Sequence, residues 1–143
     1  MMPPPYLSLA LLARDPEGAA TIERAIRSAL ERPDGSMFDE VVILFGGTPH
    51  EKCREITVRL AAEFPAVAWQ WFDLPADIPV TEEGGLADFA AARNFLYSKC
   101  CGAWIGYIDA DDVIPSAEAA GAKTKLTAAS TFTMKAFLKQ LPP

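Results

Sequence analysis

Residues 104–112 read Trp104-Ile105-Gly106-Tyr107-Ile108-Asp109-Ala110-Asp111-Asp112. An apolar run enters a cluster of carboxylates, two spaced by one residue and a third adjacent. An unbroken run of apolar and small residues suits a strand buried on both faces, and such a strand cannot hold charges inside without partners. The aspartates therefore belong where the strand ends. In open parallel sheets that edge is where ligands bind. Carboxylates crowded there repel one another unless a cation or a donor network holds them. Mg2+ and Mn2+ seek oxygen and are commonly bound by one or two carboxylates together with substrate phosphates. The competing reading is a polar turn in which Asp caps a following helix, because Asp-x-Asp alone is short and common.

Upstream of this strand the chain alternates between two kinds of segment. Tyr6 to Ala13 reads as a buried strand. Asp15-Pro16 then looks like a helix start, with Asp as N-cap and Pro at the first helical position. Ile22, Ile26, Ala29 and Leu30 recur at helical spacing, and Pro33-Asp34-Gly35 ends that helix. Val41 to Phe45 is a second strand. Gly46-Gly47 turns the chain, and Thr48-Pro49-His50-Glu51 reads as a capping box. Cys53, Ile56, Leu60 and Phe64 mark the buried face of the helix it opens, and Pro65 closes it. Val67 to Phe72 alternates like a strand. The breakers from Asp73 to Gly85 make a loop. Leu86 to about Cys101 predicts a third helix, with Phe89, Leu96 and Cys100 on one side. Strands alternating with helices predict an α/β fold, a mainly parallel sheet with helices on its faces.

The chain has 143 residues, half of them hydrophobic, enough for one domain with a real core. A net charge of −6 argues against nucleic acid and anionic membranes as general partners. Cys53, Cys100 and Cys101 form neither a disulfide framework nor a zinc pattern, so a reduced, cytoplasmic setting is expected. His50 is the single histidine, which excludes a His-based metal cluster. The N-terminal apolar stretch follows prolines rather than Lys or Arg and reads as a first strand, not a signal peptide.

Four further candidates have bland readings beside them. Arg93-Asn94 offers a planar fork for phosphate or carboxylate, or a helix-surface ion pair. Arg14-Asp15 lies at the same sheet edge as Asp109 if the strands are parallel; Asp15 is a cap first and a ligand second. Gly46-Gly47-Thr48 could cradle phosphate at a helix N-terminus, but no Gly-Lys-Ser/Thr follows, and a tight turn is the simpler role. Trp69, Trp71, Phe72 and Trp104 read as core rather than as sugar platforms. An EF-hand fails, since Ile114 and Ala120 stand where Gly and Glu are needed.

Taken together, Leu7 to Asp15, Ile22 to Leu30, Asp39 to Leu44, Asp88-Phe89-Ala90-Ala91-Ala92-Arg93-Asn94 and Gly102 to Asp112 resemble, in order, the family-2 glycosyltransferases of the GT-A fold. The resemblance implies a three-layer, Rossmann-like sandwich over residues 1–115 and a nucleotide-diphosphate-sugar donor at the carboxyl edge of its sheet. It implies that Asp111 is the main ligand of Mn2+ or Mg2+ and that Asp109 serves both the metal and the nucleotide. Arg93 would lie near the diphosphate or base, and Ala13, Arg14 and Asp15 would line the nucleoside pocket.

Two departures from the family stand out. The turn after the second strand, Phe45-Gly46-Gly47-Thr48, lacks the family's base-reading carboxylate. The family's acceptor half, with its general base, lies beyond Asp-x-Asp, where this chain has only a tail, residues 116–143, expected to be helical. The expected protein is thus the nucleotide-sugar-binding half of a transferase acting on a glycan, protein or lipid acceptor. It would be incomplete at the C-terminus and completed by a missing segment, a partner chain or self-association. A noncatalytic binding or assembly module is the second reading. A haloacid-dehalogenase-type phosphatase using Asp109-Ala110-Asp111-Asp112-Val113 is the third; such enzymes open their fold with this strand, which this chain does not.

Overall fold

In the computed structural model, residues 7–31, 38–113 and 138–140 are described. They form, in chain order, β1 (Leu7–Ala13), α1 (Glu17–Leu30), β2 (Glu40–Phe45), α2 (Glu51–Glu63), β3 (Ala68–Asp73), α3 (Phe89–Lys99), β4 (Trp104–Asp109) and β5 (Leu138–Gln140). The described strands make one five-stranded sheet in the order β3-β2-β1-β4-β5. β1 through β4 are parallel, and β5 runs antiparallel to β4. A helical tail was expected where β5 lies; the rest of 114–143 is outside the described residues.

Alternation along the strands builds two cores. Leu7, Leu9 and Leu11 of β1, Val41, Ile43 and Phe45 of β2, and Trp104 and Ile108 of β4 join Ile22, Ile26 and Leu30 of α1 and Leu60 of α2. Ala10, Leu12, Val42, Leu44 and Ile105 point the other way, onto Ala92, Leu96 and Cys100 of α3. Both faces of β1 and β2 are therefore covered, which is why these strands read as continuous apolar runs. Each fully buried Leu or Ile contributes about 2 kcal/mol over an exposed one.

The order of connections positions the site. α1 and α2 carry the chain across one face, from β1 to β2 to β3. α3 then crosses the opposite face and delivers β4 to the other side of β1. The connections thus diverge between β1 and β4, and a crevice opens at the carboxyl ends of these two strands.

Local signals were reassigned in three places. Asp15 does not cap α1, whose N-cap position is Pro16 without a side-chain hydrogen bond. It reaches across to α2, accepting the backbone N–H of Lys52 at 2.9 Å and of Cys53 at 3.0 Å. The expected capping box is therefore not formed: the N-cap position of α2 is His50, with no side-chain cap. α3 starts at Phe89 rather than Leu86, because Asp88 is its N-cap and accepts from the Ala91 N–H at 3.0 Å.

A buried carboxylate anchors the opposite, amino end of the sheet. Glu40 is 2% exposed. Its Oε1 accepts Ser8 Oγ at 2.7 Å and the Cys101 N–H at 2.9 Å, and its Oε2 accepts Gln70 Nε2 at 2.8 Å. One charge thereby ties β1, β2, β3 and the turn that feeds β4.

Candidate functional site

A cleft of about 610 Å3 occupies the crevice. Its walls come from the end of β1 (Leu12, Ala13, Arg14), the first turns of α1 (Glu17, Gly18, Thr21), Gly46 after β2, the 74–88 loop (Thr81, Glu83, Gly85, Leu86), Phe89, and Ala110-Asp111 after β4. Of the residues expected from sequence, Ala13, Arg14 and Asp111 line it directly. Asp15 does not: it is 6% exposed, and both its carboxylate oxygens are engaged by α2. Burial pushes the Asp15 carboxyl upward, but hydrogen bonds from the Cys53 thiol and from the Lys52 and Cys53 amides outweigh it and hold the pKa below the ordinary value. Desolvation, assisted by the same contact, pushes the Cys53 thiol up to about 12, so this cysteine is inert packing.

Arg14 organises the roof. Its Nη1 donates to the Thr48 carbonyl at 3.2 Å and to the Glu83 carbonyl at 3.1 Å. The Thr48 N–H donates to the Gly84 carbonyl at 3.0 Å. Gly47, at φ +119°, makes this join feasible, since a Cβ there would collide with the Gly84 carbonyl. Gly46-Gly47 is therefore a docking turn for the 74–88 loop. Nothing in the breaker pattern of that loop indicated its place over the cleft.

Asp109, Asp111 and Asp112 converge at the β4 edge. Ligand atoms from the three carboxylates lie within 4.8 Å of one another. The set is all oxygen and mostly exposed, which suits a hard divalent cation. The turn fixes itself: Asp112 Oδ2 accepts the Asp109 N–H at 2.9 Å, and the Asp112 N–H donates to the Asp109 carbonyl at 3.0 Å. From α1, Arg24 Nη2 donates to the Asp111 carbonyl at 3.3 Å, which sets positive charge beside the cluster.

Arg93 packs beneath this cluster instead of lining the cleft. Its guanidinium lies 5.3 Å from the ring centre of Tyr107 and 6.0 Å from that of Phe89. Hydrogen bonding to Tyr107 raises the Arg93 pKa further, so it is a fixed cation. The Tyr107 hydroxyl donates to Asp109 Oδ1 at 2.8 Å. Burial pushes that hydroxyl up to about 12, with the Arg93 bond opposing and Asp109 assisting, so it stays a donor. Sequence reading passed over Tyr107, although a strand places residues two apart on one face. It also set Phe89 on one side of the helix with Leu96 and Cys100; those two are buried, whereas Phe89 is 55% exposed and lines the cleft. The first residue of a helix has no preceding turn to continue its buried stripe.

No protein-family model and no curated protein sequence matches the chain. Solved structures do. A mannosyltransferase, PcManGT from Pyrobaculum calidifontis in complex with GDP-Man and Mn2+, superposes with a TM-score of 0.62 at 20% identity, over 89% of this chain and 33% of its own. S. aureus TarS 1-349 superposes with a TM-score of 0.51 at 15% identity, over 86% of this chain and 31% of its own. The chain thus spans about a third of the length of these solved structures. Its described residues have the Rossmann-like α/β architecture of GT-A-type glycosyltransferases, as the resemblance implied. Among the described residues, no helix is long and apolar enough to cross a membrane.

Proposed function

We propose that the cleft between the carboxyl ends of β1 and β4 binds a nucleotide-diphosphate sugar together with Mn2+ or Mg2+, as the donor site for glycosyl transfer. The observation that carries this reading is the convergence of the three aspartates at the rim of a cleft that opens at the sheet's topological switch point. The fold shared with a mannosyltransferase solved with GDP-Man and Mn2+ supports it.

Within this reading Asp111 and Asp109 hold the cation, which supplies charge neutralisation for the departing diphosphate. Ala13 and Arg14 line the nucleoside side of the cleft. Arg14 also keeps the 74–88 loop over the ligand, through its bonds to Thr48 and Glu83. Phe89 presents an exposed ring to the cleft, and the Arg93 cation behind it adds to the field felt by the phosphates. Asp15 serves the pocket at one remove, by fixing α2 and the turn that precedes it. A reducing, cytoplasmic setting accords with three free thiols.

Thermal unfolding with a panel of nucleoside diphosphates and their sugars, with and without Mn2+, tests the reading. A ligand at a hundred times its Kd adds about 2.7 kcal/mol of stability. The expected result is a shift in melting temperature that requires Mn2+ and vanishes in Asp111→Ala. No shift with any member of the panel would refute the donor site.

A further inference from the structure

We infer that Tyr107 is a positioning residue for the cation site: its hydroxyl pins Oδ1 of Asp109 and leaves Oδ2 as the oxygen that meets the ion. The inference rests on the proposed metal-binding role of Asp109 and Asp111.

Tyr107 and Asp109 stand two residues apart on β4, hence on one face of the sheet, the face covered by α3. The hydroxyl-to-carboxylate distance is 2.8 Å. The phenol is itself held: the Tyr97 ring meets it edge-on, with centroids 6.1 Å apart and planes at 86°, and the Arg93 guanidinium sits over its ring. The backbone of Asp109 is fixed independently by its paired bonds with Asp112. Asp109 is therefore anchored at both ends, side chain by Tyr107 and main chain by Asp112.

An exposed carboxylate otherwise samples several rotamers and loses that freedom on binding a metal. A donor that fixes one oxygen beforehand removes part of this cost and orients the ligand, as outer-shell partners of metal ligands do. Asp111 has no such partner among the described residues. Phenylalanine at position 107 would fill the same space under Arg93 and lack the pin, so the hydroxyl is the informative group.

Mn2+ titration of the full chain, followed by electron paramagnetic resonance of the free ion, separates the possibilities, using wild type, Tyr107→Phe, Asp109→Ala and the double variant. Tyr107→Phe is expected to weaken Mn2+ binding about tenfold. Its metal-free unfolding temperature should fall by no more than a few degrees, the loss expected from the hydroxyl's bonds to Asp109 and Arg93. Because Tyr107 acts through Asp109, the double variant should bind as Asp109→Ala alone does. Wild-type affinity in Tyr107→Phe, or additive losses in the double variant, would overturn the inference while leaving the cation site intact. A wild-type chain that binds no Mn2+ would remove the cation site and this role with it.

Discussion

Asp15, which follows β1, caps the helix that follows β2: its Oδ1 receives the Cys53 N–H at 3.0 Å. The neighbouring Lys52 N–H reaches Oδ2 at 2.9 Å, so one side chain satisfies two of the amides that the first turn of α2 leaves unpaired. This bond crosses the sheet edge directly behind the cleft. Asp15→Ala should destabilise the chain by about 1–2 kcal/mol, the upper part of the range for lost caps, because the amides it leaves are partly buried. Urea unfolding of the two proteins measures it. Asp15→Asn, which keeps one acceptor oxygen, should fall between them.

Acid should weaken the fold through the same residue and one other. The Asp15 carboxyl lies below its ordinary value of 3.8. Glu23 is held at about 2 by Arg59 and Arg27. For both groups the folded pKa is depressed, so the unfolded state takes up protons first as pH falls. Their stabilisation is complete above about pH 4.5 and is lost as pH drops toward about 2. A series of urea midpoints from pH 6 downward should show this decline. Glu23→Gln should flatten it, and an unchanged slope in that variant would count against the Arg27–Glu23–Arg59 network.

Gly47 and Gly46 are neighbours with different tolerance. Alanine at 47 meets both a φ of +119° and the Gly84 carbonyl. Gly47→Ala should cost about 2 kcal/mol or more and loosen the 74–88 loop over the cleft. At Gly46 a Cβ would touch only the Leu86 side chain, at 3.2 Å, which can turn aside. Gly46→Ala should therefore be much milder. Melting temperatures, with proteolysis of the 74–88 loop as the local readout, compare them.

Glu40 should be the most sensitive charged position at the amino end of the sheet. Glu40→Ala leaves Ser8 Oγ and the Cys101 amide without their acceptor, and Gln70 with only its longer bonds to the Lys99 carbonyl and Cys101 Sγ, in a site where Glu40 is 2% exposed. A loss of about 3 kcal/mol or more is expected from chemical denaturation, in the range for breaking a buried polar network. A loss under about 1 kcal/mol would mean that water replaces the carboxylate.

Much of this molecule was legible before its structure. β1, β2 and β4 are buried on both faces, so continuous apolar runs announced them, and their ends announced Asp109, Asp111 and Arg14. Ile22, Ile26 and Leu30 kept helical spacing because α1 presents one face to one core. What stayed hidden depends on partners distant in sequence. Asp15 carries the local signature of an α1 cap, and only the packing of α2 against α1 gives its carboxylate to Lys52 and Cys53 instead. Glu40 is an ordinary acid at a strand start until Ser8, Gln70 and Cys101 surround it. Tyr107 is the exception, since period-two spacing alone sets it beside Asp109.

The central claim concerns a donor site that depends on Asp111, and calorimetric titration of the full chain with GDP, UDP and their sugars tests it most directly. Saturable binding of one of them is expected in the presence of Mn2+, with loss on metal removal and in Asp111→Ala. Binding that is indifferent to both Mn2+ and Asp111, or no binding of any of these ligands, would contradict it.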